Sequence, residues 1–283
     1  MNIPFTPDLK GKVAVVTGGA GVLCSMFARA IAACGAKVAV LDLALDRAED
    51  VAKGIATEGY EAIAVACNVL EKESVAAAKQ KINSVYGPCD ILVNGAGGNS
   101  PKATTDDEFF DKAVFENPDK KSFFDLDLSG FNFVFGLNLT GTLLPTQAFA
   151  LDMVGRPGSV ILNVSSMNAF TPLTKIPAYS AAKAAVSNFT QWLAVYFAKS
   201  GIRVNAIAPG FFSTQQNAAL LWNADGTPTA RTQKILNNTP MGRFGESEEL
   251  LGTLLFLLDQ KSSGFVTGIV VPVDGGFSAY SGV

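Results

Sequence analysis

Val13 to Asp42 reads VAVVTGGAGVLCSMFARAIAACGAKVAVLD. It opens on a short apolar, β-branched run and turns through Thr17-Gly18-Gly19-Ala20-Gly21-Val22-Leu23-Cys24. A helix-like stretch follows from Cys24 to Cys34, and a second apolar run ends in Asp42. Strand, glycine turn, helix and strand in this order form a βαβ unit whose turn amides and helix amino terminus favour phosphate. Glycines also serve ordinary tight turns, so the reading gains its weight from Asp42. A carboxylate about 20 residues after the turn can accept hydrogen bonds from both adenosine ribose hydroxyls and repels a 2′-phosphate. Leu43 rather than a basic residue follows, although Arg47 is close in sequence. The stretch therefore predicts NAD in preference to NADP.

Outward from this unit, further apolar runs occur at Ala62 to Ala66, Ile91 to Val93, Ser159 to Val164, Arg203 to Ile207 and Ile269 to Val271. They alternate with helical patterns at Asp46 to Glu58, Glu71 to Tyr86, Phe131 to Val154, Tyr179 to Lys199 and Ser247 to Leu258. Gly35 reads as a carboxyl cap, and Glu71 to Glu73 place acidic residues at a helix start. Continuous hydrophobic strands between helices predict an α/β fold: a single-domain, doubly wound parallel sheet of about seven strands, covered on both faces. No repeat or low-complexity linker divides the chain, so one domain is expected over residues 1–283. Two segments break the alternation, 98–130 and 211–244. Loops this long in a compact domain are commonly functional, and both leave the carboxyl edge of the sheet, where ligands bind in such folds.

With 283 residues, 48% hydrophobic and 17% charged, the chain has ample material for a core. No apolar run approaches the ~20 residues of a membrane helix. A net charge of −3 and a pI near 5.1 give no general attraction to nucleic acid. The amino terminus, MNIPFTPDLKGK, shows no secretory signal pattern, so a soluble, cytoplasmic protein is expected. There is no histidine. That excludes a mixed Cys/His zinc site, a Ser-His-Asp triad and a histidine general base. Cys24, Cys34, Cys67 and Cys89 sit among apolar neighbours without metal-like spacing and read as small buried hydrophobes.

The remaining proton-transfer candidates are Tyr, Lys, Asp and Glu. Leading into NVSSMNAFTPLTKIPAYSAAK, Asn163 to Lys183, the run SVILNV, Ser159 to Val164, reads as a buried strand with Ser165 and Ser166 at its open end. Tyr179 and Lys183, four residues apart, share one helix face. Lowering a phenol pKa from about 10 to about 7 requires roughly 4 kcal/mol of selective stabilisation of the phenolate. One nearby cation at an effective dielectric near 20 supplies about that much. The pair taken alone also fits an ordinary amphipathic helix, and it is the strand end beside it that favours chemistry.

Together these residues resemble the short-chain dehydrogenase/reductase family across nearly the whole chain. The matching set is Thr17 and Gly18, Asn94-Gly95-Ala96-Gly97, Asn138 in LNLTG, Ser166 thirteen residues before Tyr179 of YSAAK, Pro209-Gly210, and VTGIVVPVDGG near the end. The resemblance implies that Tyr179 is the acid/base and that Ser166 donates to the reacting oxygen. Lys183 would bind the nicotinamide ribose and lower the phenol pKa, and Asn138 would position a water in a proton relay. It further implies cofactor contacts at Thr17, Gly18, Gly19, Gly21, Val22, Leu23, Asp42, Asn68, Val69, Asn94, Gly95, Ala96, Gly97, Tyr179, Lys183, Pro209, Gly210, Phe212 and Thr214. Two departures stand out. Val22 and Cys24 occupy the family's later glycine positions, with Gly21 one place early, and Asn68 replaces an aspartate that often contacts adenine. Asn68 is expected to retain adenine recognition, since an amide both donates and accepts.

Within the family, GGAGVLC, NGAGGN, FFDLDLSGFNFVFGLNLTG, APGFFSTQQN, TPMGRFG and DGGFSAYSGV are similar to the D-mannonate oxidoreductase (fructuronate reductase) subgroup. The reaction implied is hydride exchange between NAD(H) and a sugar acid; a gluconate or deoxy-ketogluconate 5-dehydrogenase and a non-catalytic NAD-binding Rossmann protein are the other readings. A polyhydroxylated carboxylate needs donors and a cation. Asn99, Ser100, Asn168, Lys175, Gln215, Gln216 and Arg243 are the loop candidates beside Ser166 and Tyr179. Lys175 is the first candidate for the carboxylate, with a solvated loop lysine as its other reading. Phe109, Phe110, Phe115, Phe123 and Phe124 are expected to pack the long loop down, and Phe211 and Phe212 stay ambiguous. The resemblance also implies a homotetramer built through the helices carrying Asn138 and Tyr179, while the latter helix fits an internal position equally well.

Overall fold

The computed structural model describes residues 1, 3–213, 221–223 and 225–282. In the order of the chain it runs β1 (Val13–Thr17), α1 (Val22–Ala33), β2 (Lys37–Asp42), α2 (Leu45–Thr57), β3 (Ala62–Ala66), α3 (Lys72–Val85) and β4 (Ile91–Asn94). After a long insertion come α4 (Leu128–Phe135), α5 (Gly141–Met153), β5 (Ser159–Val164), α6 (Pro177–Phe197) and β6 (Ile202–Pro209). The carboxyl-terminal part adds α7 (Ala230–Asn237), α8 (Leu250–Leu258), the short α9 (Gln260–Ser263) and β7 (Val270–Val273). The seven strands form one sheet in the order β3-β2-β1-β4-β5-β6-β7, every pairing parallel. The order reverses between β1 and β4, so their carboxyl ends flank the switch-point crevice.

Period-2 alternation divides the core between the two faces. Ala14, Val16, Val38 and Val40 pack with Phe27 and Ile31 of α1 and Leu254 of α8. Val13, Val15, Ala39 and Leu41 face Ile82 of α3, Phe149 and Met153 of α5, and Leu193 of α6. At the opposite edge of the sheet from the crevice, buried Asp90 receives Arg156 at 2.6 Å, Lys12 at 3.4 Å and the Val13 amide at 3.0 Å. That cluster is a satisfied structural tie.

Two expectations need correction. The helix expected at Phe131 to Val154 starts earlier, at Leu128, where Asp127 accepts from the Ser129 amide as its cap. It is then interrupted by a π turn over Gly136–Thr140. The five phenylalanines of the insertion do not pack it down: Phe109, Phe110, Phe115, Phe123 and Phe124 are 57–81% exposed. The insertion is instead organised by short 3₁₀ turns capped by Ser100, Asp111 and Ser122. It is held to the rest of the chain by polar contacts, including Thr105 N to the Lys175 carbonyl at 2.9 Å.

Candidate active site

The glycine turn leaves β1 at Thr17, and Gly18 adopts φ +61°. A Cβ on Gly18 would lie 2.8 Å from the Ala96 Cα, and one on Gly19 would lie 2.7 Å from Val40 Cγ1. The turn is therefore pressed against both neighbouring strands. The buried Thr17 hydroxyl accepts from the Gly95 and Ala96 amides at 3.1 and 3.3 Å, fastening the β4 turn to the β1 turn. α1 then begins after Gly21 with no side chain capping its first amides. Uncapped N–H groups at Val22 and Leu23 could hold a pyrophosphate, the kind of anion that helix amino termini favour.

The altered glycine register has a steric answer. Cys24 is buried, and its Sγ fills the place a Cβ on Gly95 would take. The thiol thus occupies the volume between α1 and the β4 turn. Burial pushes its pKa up to about 12 against the opposing effect of the Lys183 charge, so it is an inert packing group. Sequence reading saw the missing glycine but not which side chain had replaced the space.

Asp42 ends β2 and accepts from the Ala20 amide through Oδ2 and the Ala44 amide through Oδ1, both at 3.1 Å. Arg47 Nη2 donates to the Ala20 carbonyl at 3.1 Å, which fixes a guanidinium beside the same turn. Asn68 is more occupied than expected. Its Nδ2 donates to Glu71 at 2.8 Å, and its Oδ1 accepts from the Leu70 amide at 3.1 Å, so part of its hydrogen-bonding capacity serves the local turn. The side chain of Asn94 is also spent internally, donating to Thr146 Oγ1 at 3.0 Å and Asn163 Oδ1 at 2.8 Å. Val69 is buried behind the site, where a Cβ on Gly141 would come 3.0 Å from its Cγ2.

The catalytic candidates converge at the carboxyl ends of β4 and β5. Ser166 Oγ accepts from the Asn168 amide at 3.3 Å and lies near enough to the Tyr179 phenol to bear on its pKa. Lys183 is buried, donates to the Val164 carbonyl at 2.8 Å and sits 5.6 Å from the centroid of the Tyr179 ring. Ser165 does not compete with Ser166, because its hydroxyl is engaged with Ser187 and the Lys183 carbonyl. Gly97 is packed between two of the group: a Cβ there would lie 2.7 Å from Asn138 Oδ1 and 3.1 Å from Lys183 Nζ. Asn138 projects from the π turn, and its Nδ2 donates to the Gly98 and Val134 carbonyls at 2.8 Å each. The amide therefore clamps the backbone of the β4 turn.

Electrostatics correct the simple charge argument. Burial raises the Tyr179 pKa, with the neighbouring Ser166 hydroxyl acting in the other direction. Burial also drives Lys183 down to about 8. The expected fall of the phenol toward neutrality under Lys183 is therefore not found in the chain by itself. A Coulomb attraction counted without the cost of desolvating both partners overstates the cation.

Of the substrate candidates, Lys175 has φ +72° and is the one non-glycine residue among those described in the left-handed region. Such strain gathers at functional sites, and the loop holds it through the Thr105 hydrogen bond. Asn168 is buried beside Ser166, whereas Asn99 donates to Thr104 Oγ1 and Ser100 caps a 3₁₀ turn. Arg243 is removed from the set, because its two terminal nitrogens hold Glu249 at 2.7 Å each. Thr214, Gln215 and Gln216 lie outside the described residues. Following Pro209, Gly210 leaves no room for a side chain, since a Cβ would meet Asp274 Cβ at 2.5 Å. Phe212 packs its buried ring on Gly245, and Phe211 meets Phe277 edge to face at 5.3 Å. Among the described residues no group of three or more acids or cysteines is arranged for a metal ion, and no helix is long and apolar enough to cross a membrane.

Comparisons with known proteins agree with this fold. A family profile described as short chain dehydrogenase matches residues 12–224. An uncharacterized oxidoreductase of Haemophilus influenzae is 60% identical over 283 residues, covering 100% of this chain and 99% of the relative. A crystal structure from that organism, provisionally named a D-mannonate oxidoreductase and solved with bound NAD, superposes with a TM-score of 0.95. It is 60% identical and 98% of each chain is covered. The 5-keto-D-gluconate 5-reductase of Escherichia coli is 33% identical, with 98% of each chain covered.

Proposed function

The chain belongs to the short-chain dehydrogenase family, and on that premise we propose that it exchanges hydride between NAD and a sugar acid, interconverting D-mannonate and D-fructuronate. The observation that carries the reading is the convergence of Ser166, Tyr179 and Lys183 beside an uncapped helix terminus and the Asp42 carboxylate. Support for the substrate comes from the long segments shared with the D-mannonate subgroup and from the NAD-bound neighbour at 60% identity.

NAD, when bound, supplies the hydride acceptor for oxidation and, as NADH, the donor for reduction. The chain's own part is to hold the cofactor and to manage one proton. The first α1 amides would take the pyrophosphate, Asp42 the adenosine ribose and Lys183 the nicotinamide ribose. In oxidation Tyr179 Oη receives the proton of the C5 hydroxyl; in reduction it returns one to the C5 oxygen. Ser166 Oγ donates to that oxygen as its charge develops, the interaction that favours the transition state over the ground state. Asn138 fixes Gly98 and with it the floor of the site, and we assign it the relay water as well. We further propose that the enzyme is cytoplasmic and, as the family resemblance implies, a homotetramer.

The deciding experiment is NADH formation from NAD with D-mannonate, D-gluconate and related acids, with D-fructuronate plus NADH as the reverse. Preferred turnover of mannonate and fructuronate is expected. Activity confined to gluconate-type substrates would keep the mechanism and transfer the substrate to the second reading, which the gluconate reductase relative supports.

Two variants test the binding roles. Asp42→Asn keeps acceptor capacity for the Ala20 or Ala44 amide but removes the charge that repels a 2′-phosphate, with the Arg47 guanidinium already beside the turn. The NAD-over-NADP preference in kcat/KM is expected to fall by about 10- to 100-fold, as loss of a charged hydrogen bond worth ~1.5–3 kcal/mol implies. An unchanged preference would remove Asp42 from the cofactor site. Lys175→Met is expected to raise the KM for mannonate about tenfold without altering the KM for NAD. An equal KM for mannonate would return Lys175 to the solvated loop.

A further inference from the structure

The phenylalanine cluster of the insertion has no role in the reaction just described and contradicts ordinary surface chemistry. Phe110 packs edge to face on Phe115 at 5.8 Å and on Phe124 at 5.7 Å, and Phe124 on Phe123 at 5.7 Å. The rings are thus arranged by one another rather than by the domain beneath. At roughly 200 Å² per phenylalanine, five side chains exposed by 57–81% present on the order of 650 Å² of apolar surface. That exceeds the few hundred Å² tolerated on a typical monomer and approaches the ~800 Å² that each partner contributes to a stable interface.

We propose that this surface is an interface between two copies of the chain. An aromatic centre inside a charged rim is the anatomy of such contacts. One patch meeting itself about a two-fold axis satisfies edge-to-face rings on both sides. Residues 106–127 carry eight acidic side chains against three lysines, a rim that repels anionic lipid and nucleic acid. It also sets two copies against each other electrostatically at low salt. Association through the patch therefore strengthens as salt screens the rims.

The contact would bear on the active site through the base of the insertion. Ala103 packs in one cluster with Val134, Ala178, Ala182 and Tyr179. Thr105 holds the strained Lys175, and Glu108 pairs with Lys234 of α7 at 2.5 Å. Assembly would thus brace three segments around the substrate mouth. This goes beyond the family-type tetramer, since the surface lies on the insertion rather than on α5 or α6.

The test is sedimentation velocity of the full chain across a dilution series at low and high salt, for wild type and Phe115→Asp/Phe124→Asp. Wild type is expected to associate more strongly at high salt. The double variant is expected to lose one association step, its dissociation constant rising at least 100-fold while NADH binding is retained. Radical footprinting of wild type gives an independent readout should the variant fold poorly: Phe115 and Phe124 are expected to become protected as concentration rises. An unchanged association in the folded variant, unprotected rings in the associated wild type, or a wild type that is monomeric throughout would each overturn the proposal. So would flotation of wild type with neutral lipid vesicles that the variant does not show. All these measurements omit the sugar acid, so they stand apart from any failure of the substrate assignment.

Discussion

Tyr179→Phe is expected to lower turnover at least ~100-fold while leaving NADH affinity within about twofold of wild type. The ring keeps its place against Ala103, Val134, Ala178 and Ala182, and only Oη is lost. Ser166 then has no phenol to orient and the C5 hydroxyl no base. Because burial holds the phenol above its ordinary pKa, the phenolate fraction of the ligand-free site rises with pH only in the alkaline range. Oxidation is accordingly expected to accelerate with pH more steeply than reduction, which uses the protonated phenol. Paired pH profiles of the two directions check this. Full turnover in the phenylalanine variant would require a different base, and NADH binding by wild type without turnover on any acid would favour the non-catalytic Rossmann reading.

Lys183→Met is expected to do two opposite things: remove at least ~100-fold of turnover and make the cofactor-free fold more stable. The ammonium is buried with the Val164 carbonyl as its acceptor, and burial takes its pKa from 10.5 to about 8. The folded value therefore lies below the unfolded one. Below pH 8 both states hold the proton and the whole penalty is present. Between about 8 and 10.5 the unfolded chain holds more protons, so stability rises with pH; above that range neither form is charged and the penalty is gone. A shift of this size corresponds to on the order of 3 kcal/mol, reduced by the Val164 carbonyl left without its donor. Urea melts at neutral pH are expected to show the variant about 1–3 kcal/mol more stable, the gap narrowing toward pH 10. A variant less stable than wild type at neutral pH would mean that the ammonium is not a burden on the fold. The expected gain in stability would instead make the lysine a residue kept for chemistry at the expense of stability.

Most of the frame was legible because strands buried on both faces leave continuous apolar runs. All seven sheet strands fall at the expected runs within a few residues, and the family resemblance pointed to Ser166, Tyr179, Lys183 and Asn138, the proposed roles of Tyr179 and Lys183 being those the variants test. What escaped reading depends on contacts distant in sequence. The exchange of Gly95 space for the Cys24 thiol joins residues 71 apart, and nothing local to either signals it. Arg243 looked like a free cation until Glu249, six residues on, was seen to take both its nitrogens. The Tyr179 electrostatics failed for a related reason: spacing reports that a cation is near, whereas desolvation depends on everything else packed around the pair. The insertion was visible as a long irregular segment, yet the outward direction of its phenylalanines is set by their mutual ring contacts, and composition carries no such direction.

The π turn at Gly136–Thr140 is a change of phase. A widened turn accommodates roughly one residue beyond the α repeat, and at 3.6 residues per turn one residue is about 100° of rotation. Leu128–Phe135 and Gly141–Met153 therefore obey two different helical wheels although the backbone passes from one to the other without a loop. Along this segment the alphabet of tolerated residues is written in two registers. Deleting one residue between them would turn the whole far helix by about 100° without altering the chemistry of any remaining side chain.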